Sequence, residues 1–286
     1  MIEHIQAKTG AGVRMICRVL NLPRSSHYQA AEPSAHALED RRLGDLIETI
    51  FREHQRRYGH RRIAEELRRH GHVCSAQRVR RLMKERGLRA LTTRRFVPQT
   101  SDGKADAPSP NLLKDRALPT CSNEVWAGDI TYIPCREGWL YLAVVMDLSS
   151  RRIVGWHLDT NLRAGLVCEA LRQALVKRGA HQRGLIFHSD RGSQYSSRAY
   201  RQQLAEADMT QSMSSRGNPY HNAWTESCIG TLKTELVQDA VFENLPDARR
   251  ALFSYIESYY NTRRLHSSLG YRSPSQAERA AEPAAA

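Results

Sequence analysis

Three strand-like segments follow one another closely in the second half of the chain, and they constrain the fold more than any other feature. The segments span residues 125–133, 139–148 and 152–158, and each is largely apolar. Only a few residues separate them, which is short enough for antiparallel hairpins. The segments therefore predict three successive antiparallel strands at the start of a larger domain.

The residues after these strands alternate between helical and strand-like patterns. Helices are predicted over 161–178, about 197–208 and 223–237, because apolar residues recur there at helical spacing. Short apolar runs predict strands over 185–189 and 209–213. The resulting order, β-β-β-α-β-α-β-α, predicts an α/β domain with five strands.

Three acidic residues stand at unusual places in this pattern. Asp129 lies within the first apolar strand, Asp190 ends the fourth, and Glu226 lies near the start of the last helix. A carboxylate left unpaired in apolar surroundings is costly. Three that converge would form a site for hard divalent cations, which prefer oxygen ligands. The alternative is that Asp190 caps a strand-to-helix turn and Glu226 lies on a solvated helix face.

Four ordered blocks of sequence resemble a known family. The blocks are residues 126–132, 188–195, 222–227 with 231–233 after it, and 259–271. Thirty-five residues separate Asp190 from Glu226. The blocks and this spacing resemble the D,D(35)E catalytic domain of bacterial transposases and retroviral integrases. Within that group the chain resembles the second-reading-frame protein of the insertion sequence three family.

The resemblance implies both a fold and a chemistry. The fold is ribonuclease-H-like: a mixed five-stranded sheet flanked by helices, in which the first and fourth strands are neighbours. Asp129 and Asp190 can then meet, and the last helix brings Glu226 across to them. These three residues would be catalytic and would bind two Mg²⁺ or Mn²⁺ ions, with Asp129 bridging both ions.

Further DNA contacts are expected around the last helix. Lys233 lies seven residues after Glu226, and this spacing places both on one helix face. It resembles the family's basic residue after the catalytic Glu, which would contact a phosphate, although an ordinary surface lysine is the alternative. Asn218 and Asn222 lie in the loop before the helix and either contact DNA or form the turn.

Positive charge is concentrated ahead of the α/β domain. The chain carries a net charge of +13, and the block from Arg52 to Arg95 contributes +11 through fifteen Arg or Lys and four Glu residues. A block of this density favours nucleic acid as a partner. Helical patterns are predicted over 11–30 and about 38–57, before or at the start of this block.

Two further helices within the basic block, over 60–70 and 76–86, are joined by a four-residue turn. They resemble a helix-turn-helix whose second helix is basic. Its apolar residues leave three cations largely outward, and these are the predicted DNA contacts: Arg78, Arg81 and Lys84. The alternative is a small helical bundle with a solvated basic face.

These patterns divide the chain into five parts. They are an N-terminal helical segment (1–35), a small all-α domain of the helix-turn-helix type (36–97), a Pro-containing linker (98–120), the catalytic core (121–240) and a C-terminal helix and tail (241–286). Six scattered cysteines without a C-x-x-C pair argue against zinc knuckles and disulfides. With neither a signal peptide nor a membrane-length apolar run, a cytoplasmic, nucleoid-associated bacterial protein is expected.

The function predicted from all of this is DNA transposition: metal-dependent cleavage at element ends, followed by strand transfer. A ribonuclease-H-type nuclease without strand transfer and a catalytically inactive DNA-binding regulator are the alternatives. The expected partners are double-stranded DNA, further copies of the chain on that DNA, and an upstream-frame protein with a helix-turn-helix and a coiled coil.

Overall fold

The computed structural model describes residues 1–24, 27, 34–92, 109–114, 116–179, 184–215 and 223–281. It separates into two compact units, Met1–Arg89 and Ala90–Ala286, and each is described by itself. Across the described residues, no helix combines the length and the apolar character needed to cross a membrane.

The first unit is helical, as predicted. Its elements are α1 (Ile2–Thr9), α2 (Val13–Val19), α3 (Ala35–Glu53), α4 (His60–Arg69) and α5 (Ala76–Glu85). Helix α1 lies within the predicted N-terminal helical segment, but the sequence did not give its bounds, because none of its side chains is buried.

Helices α3, α4 and α5 share one small core. Ile47, Ile63, Leu67 and Val79 are all fully buried in it. The start of α5 is fixed by Ser75, whose hydroxyl accepts a hydrogen bond from the Arg78 amide at 3.2 Å. The α4–turn–α5 arrangement therefore confirms the helical hairpin predicted within the basic block.

The second unit contains one five-stranded sheet. Its strands are β1 (Val125–Cys135), β2 (Gly138–Asp147), β3 (Ile153–Asp159), β4 (Ile186–Ser189) and β5 (Thr210–Met213). They lie in the order β3-β2-β1-β4-β5. The pairs among β1, β2 and β3 are antiparallel, whereas β4 runs parallel to both β1 and β5. This mixed sheet confirms the predicted ribonuclease-H-like fold.

One face of the sheet is covered by α6 (Ala164–Arg178) and α8 (Arg198–Glu206), with the short α7 (Ser193–Ser196) between β4 and α8. The contact with α6 is close, because a Cβ at Gly155 of β3 would lie 2.2 Å from a helix carbonyl. Trp126 and Ile130 of β1 point into this core. Since side chains alternate along a strand, Asp129 points to the opposite face.

That opposite side carries α9 (Ala223–Leu232), which packs against β1. The helix continues directly into a first π turn (Lys233–Val237), so the helix predicted over 223–237 is confirmed with a change of winding near its end. Helix α10 (Leu245–Phe253) likewise continues into a second π turn (Ser254–Tyr260), and α11 (Pro274–Ala281) ends the described chain.

Part of the predicted linker is not a free connection. Residues 93–108 and 115 lie outside the described residues, but residues 109–114 lie beside β5. The Leu112 amide donates to the Ser212 hydroxyl at 2.9 Å, and the Met213 amide donates to the Pro110 carbonyl at 3.2 Å. The reason is that β5 is an edge strand, whose unpaired backbone groups accept such partners.

Candidate active site and DNA-binding surface

Asp129 and Asp190 lie on neighbouring strands at matching positions. The parallel ladder between β1 and β4 pairs Ala127 with His188, and each acid follows its strand's member of this pair by two residues. The fold therefore brings the two acids beside each other where β4 ends, as the family resemblance implied; this place is called the acidic edge below.

Local backbone geometry holds both acids. The Ile130 amide donates to Asp129 Oδ1 at 2.8 Å, and the Gly192 amide donates to Asp190 Oδ1 at 3.0 Å. Asp190 therefore does stabilise the turn that leads into α7, as the structural alternative proposed. This role does not exclude ligand binding by the same side chain, because a carboxylate has two oxygens and several acceptor sites.

A small residue beside Asp129 keeps the first strand close to its neighbours. A Cβ at Gly128 would lie 2.6 Å from the Phe187 ring and 3.2 Å from the Tyr195 hydroxyl. Tyr195 is itself buried, and the charges of both acids help to raise the pKa of its hydroxyl well above its usual value, after the larger effect of burial. Tyr195 thus packs beneath the acidic edge and stays protonated there.

Glu226 lies in the first turn of α9 and its residue is exposed. Partial burial raises the pKa of its carboxyl. The negative charge of Glu226 also raises the pKa of Asp129. Asn218 and Asn222, predicted to lie in the loop before this helix, fall outside the described residues.

The pKa of the Asp129 carboxyl is strongly raised. Burial raises its pKa most, and the negative charges of Asp190 and Glu226 raise it further, to about 8. The hydrogen bond from Ile130 and the charge of Lys233 act in the opposite direction. Mutual repulsion of this kind is what a bound cation would relieve.

The donor chemistry of the three acids fits a hard divalent cation, but their arrangement is not a finished cage. Among the described residues, no three His, Cys, Asp or Glu side chains stand close enough together to hold a metal ion. Asp129 and Asp190 occupy matching places on adjacent strands, whereas Glu226 is exposed on its helix.

Lys233 begins the first π turn and is partly buried on the same side of the sheet. Burial lowers the pKa of its ammonium group, and the nearby negative charge of Asp129 opposes that effect. The helical spacing that placed Lys233 on the face of Glu226 thus also brings its charge within reach of Asp129. π turns frequently occur at functional sites.

His188 precedes the acidic edge and is packed within β4. It is fully buried, with Nδ1 2.9 Å from the Ser212 hydroxyl and Nε2 3.1 Å from the Ser214 hydroxyl. Both ring nitrogens are therefore occupied by β5 and the residues after it. The neighbouring Arg191 donates through Nε to the Ser214 carbonyl at 2.8 Å.

In the first unit, the structure corrects the expected orientation of Arg78 and, in part, of Arg81. Arg78 lies against α3, with Nη2 2.7 Å from Asp40 Oδ1 and 3.0 Å from Glu39 Oε2. Arg81 also pairs with Asp40, at 2.5 Å, and with Glu85 of its own helix at 2.8 Å. Sequence periodicity showed which face of α5 is apolar, but not that acids of another helix lie beside it.

A different stripe of α5 faces solvent. Gln77, Arg80 and Lys84 are exposed, and within the described residues their side chains make no hydrogen bond or ion pair. Arg80 lies near His60, the first residue of α4. Burial lowers the pKa of His60 most, and the charges of Arg61 and Arg80 lower it further. Of the predicted contacts, Lys84 belongs to this stripe, whereas Arg80 and Gln77 were not predicted.

Comparisons with known proteins agree with both units. Two models described as "Integrase core domain" match residues 119–219 and 207–274, and a model described as "HTH-like domain" matches residues 37–96. The matches cover the acidic edge, the C-terminal segment and the basic helices.

Two relatives match nearly their whole length. The transposase for insertion sequence element IS904 of Lactococcus lactis subsp. lactis (strain IL1403) is 43% identical over 247 residues, covering 86% of this chain and 97% of that protein. Transposase InsF for insertion sequence IS3A of Escherichia coli (strain K12) is 37% identical over 281 residues, covering 97% and 96%. Among solved structures, the HTLV-2 integrase catalytic core domain in complex with magnesium has a TM-score of 0.41 and 17% identity, covering 55% of this chain and 97% of that one.

The fold, the acidic edge and the matched domains define an enzyme of the DDE polynucleotidyl transferase class. A helical domain of the helix-turn-helix type precedes its catalytic core, which implies that it binds DNA. The chain belongs to the IS3 family of insertion-sequence transposases.

Proposed function

We propose that this transposase cleaves DNA at the ends of its element and joins the freed ends to a second DNA site, using Asp129, Asp190 and Glu226 as its catalytic carboxylates. The observation that carries this proposal is that β1 and β4 set Asp129 and Asp190 two residues beyond the same paired position, on the strand against which the helix of Glu226 packs. The raised pKa of Asp129, caused by burial and by the charges of Asp190 and Glu226, supports a functional site there.

The three carboxylates would hold divalent cations, Mg²⁺ or Mn²⁺, and two ions are proposed. When bound, such ions neutralise the charge on the transferring phosphate and activate an oxygen nucleophile. Asp129 would have to lose its proton to act as a ligand, and the charges of Asp190 and Glu226 both act on it; it is the proposed ligand of both ions, with Asp190 and Glu226 each holding one. Lys233 would place a point charge on a phosphate near the cleaved bond.

The proposed reaction has two steps, and each forms one phosphorus–oxygen bond and breaks one. In the first, a water oxygen attacks phosphorus, the bond to the 3′ oxygen breaks, and that oxygen takes up a proton. In the second, the freed 3′ hydroxyl attacks another phosphodiester, and one phosphorus–oxygen bond forms as one breaks. No nucleotide hydrolysis is needed, because the number of phosphodiester bonds in the second step is unchanged.

We propose that the first unit contacts duplex DNA through the exposed stripe of α5, comprising Gln77, Arg80 and Lys84. Their cations face solvent, whereas Arg78 is engaged by the acids of α3. Arg81 lies at the edge of this stripe and remains a proposed contact. Asn218 and Asn222, in the loop before α9, remain proposed contacts of the catalytic core.

The assembly is also a proposal. Two element ends must be brought together, so at least two copies of the chain would act on one DNA complex. An upstream-frame partner with its own helix-turn-helix and coiled coil would add recognition of the element ends. The five-part division of the chain and a cytoplasmic location on the nucleoid are proposed with it.

A cleavage assay on DNA carrying element ends tests the chemistry. D129N, D190N and E226Q should each lower strand cleavage by about a hundredfold or more, since an amide keeps the size of the side chain but loses the charge that holds hard cations. DNA binding should be nearly unchanged. The matched control is E169Q, which neutralises an acid on α6 paired only locally with Arg172 at 2.6 Å, and it should cleave normally.

The products distinguish the alternatives. Cleavage and joining support transposition, whereas cleavage without joined products supports a nuclease. Binding without any cleavage by the unaltered chain supports a DNA-binding regulator. If all three acid variants cut DNA as fast as the unaltered chain, the assignment of the site is wrong.

A further inference from the structure

A buried ion pair joins the catalytic helix to the C-terminal segment. Arg264 donates to Glu235 through Nη2 at 2.7 Å and through Nε at 2.9 and 3.0 Å, so the contact is forked. The Tyr255 hydroxyl donates to the same carboxylate at 2.8 Å. Only 6% of the Glu235 side chain and 5% of the Arg264 side chain are exposed.

The carboxylate of this pair belongs to the element that carries a proposed site residue. Glu235 lies in the first π turn, two residues after Lys233. The π turn continues α9 without a break, so the same helix also carries Glu226 in its first turn. The C-terminal segment thus holds the end of the helix that carries both proposed residues.

The other side of the same segment is fastened to the sheet. Asn261 accepts a hydrogen bond from the Ile153 amide at 2.9 Å and donates to the Ile153 carbonyl at 3.0 Å. Ile153 begins β3, one of the two edge strands of the sheet. The side-chain amide of Asn261 therefore pairs with the Ile153 backbone as a neighbouring strand would. Since Arg264 follows Asn261 by three residues, one short stretch of chain links this edge strand to the catalytic helix.

The chemistry of the Glu235–Arg264 ion pair suggests that it orients the helix more than it stabilises the fold. A buried ion pair can often be replaced by apolar residues of similar volume without loss of stability, because burying charges is costly. A forked guanidinium–carboxylate contact nevertheless fixes both direction and rotation, which an apolar contact does not. Fixed rotation matters for a π turn, whose side chains leave the ordinary helical positions.

We propose that Tyr255, Asn261 and Arg264 form a positioning clamp that sets Lys233, and through the continuous helix Glu226, relative to Asp129. The clamp acts through Glu235 and does not touch the reacting DNA. This inference rests on the proposed catalytic roles of Asp129, Glu226 and Lys233.

The decisive variant replaces both charges of the full-length chain, as E235M/R264M. We expect it to stay folded and to bind DNA as tightly as the unaltered chain, but to cleave element ends at least tenfold more slowly at saturating DNA. The Mg²⁺ concentration for half-maximal cleavage should also rise, because misplaced ligands bind the ion less well. A structural role alone would not change this metal dependence in a folded protein.

R264K provides a second measurement in case the double variant does not fold. Lysine keeps the positive charge but offers a single point contact in place of the fork. We expect a smaller loss of cleavage rate than in E235M/R264M and a shift of the Mg²⁺ dependence in the same direction. Cleavage and Mg²⁺ dependence like those of the unaltered chain, in whichever of these variants is folded, would overturn the clamp.

Two controls separate this inference from the proposed site. E169Q removes the ion pair between Glu169 and Arg172 within α6, and it should leave both cleavage and its Mg²⁺ dependence unchanged. D129N tests the site itself. If D129N still cleaves, the proposed site fails; if D129N is inactive and E235M/R264M is unimpaired, only the clamp fails.

Discussion

The guanidinium of Arg78 lies 2.7 Å from the carboxylate of Asp40, and this pair ties the start of α5 to α3. The hydrogen bond from Arg81, and then that from Arg78, holds the pKa of the Asp40 carboxyl below its usual value despite the opposing effect of desolvation. A cation held in this way supports the helical unit and is less available to DNA. The basic helix thus has one side bound to its own domain and another open to solvent.

The first prediction separates these two sides. R80A/K84A should weaken binding to duplex DNA and flatten its salt dependence, since each phosphate contact contributes about 0.9 to the log–log slope. R78A, the matched control, should instead lower the melting temperature of the chain and change the slope less. Binding titrations of both variants at several salt concentrations would check this. An unchanged slope in R80A/K84A would show that the stripe does not contact DNA.

The second prediction follows from the raised pKa of Asp129. The folded chain holds this proton up to about pH 8, whereas the ordinary value for an Asp is 3.8, so stability should fall as the pH rises between these values. Thermal unfolding without divalent ions should therefore occur at a lower temperature at pH 8 than at pH 6. The difference should shrink in D129N. Because Asp129 is only partly buried, the effect is smaller than for a fully buried carboxyl.

Adding a divalent ion should reverse this trend. A cation that binds the ionised carboxylates of the folded chain stabilises it, and the stabilisation grows with the ratio of ion concentration to dissociation constant. Mg²⁺ should therefore raise the unfolding temperature more at pH 8 than at pH 6, and it should do so much less in D129N. Equal shifts in the two proteins would mean that the ion binds elsewhere.

The third prediction concerns the identity of the ion. Mg²⁺ or Mn²⁺ should support strand cleavage, whereas Ca²⁺ should permit DNA binding with little turnover. The reason is that Mg²⁺ requires near-octahedral geometry, while the larger Ca²⁺ accepts irregular coordination. Cleavage rates measured with each ion at equal DNA occupancy would test this, and undiminished cleavage in a chelator would exclude the metal mechanism.

The fourth prediction concerns the upstream-frame partner. The basic helices supply affinity through charge, but phosphate contacts carry little sequence information. A chain without its partner should therefore bind element ends with weak preference, and fusion to the partner should improve both preference and cleavage. Competition between element-end DNA and unrelated DNA would measure the gain. Selective cutting of the ends by the unfused chain at physiological salt would contradict this expectation.

Local patterns in the sequence determined most of the fold and the position of the acids. Alternation along β1 and the short turns after it predicted the three antiparallel strands, and Asp190 stands directly after a strand that those patterns located. Such features depend on neighbours within a few residues, so they can be recognised without knowing the tertiary structure. The bounds of helix α1 were not predicted, because none of its side chains is buried.

Only the tertiary structure decided which charged groups meet. Arg78 pairs with an acid 38 residues away, and Arg264 pairs with one 29 residues away. Residues 109–112 similarly hydrogen-bond to residues of β5 that lie 100 and 102 positions further along the chain. Periodicity reveals which face of an element is apolar, but not which element will lie against it. That choice depends on packing across the whole domain, and it separates the structural cations from those left for DNA.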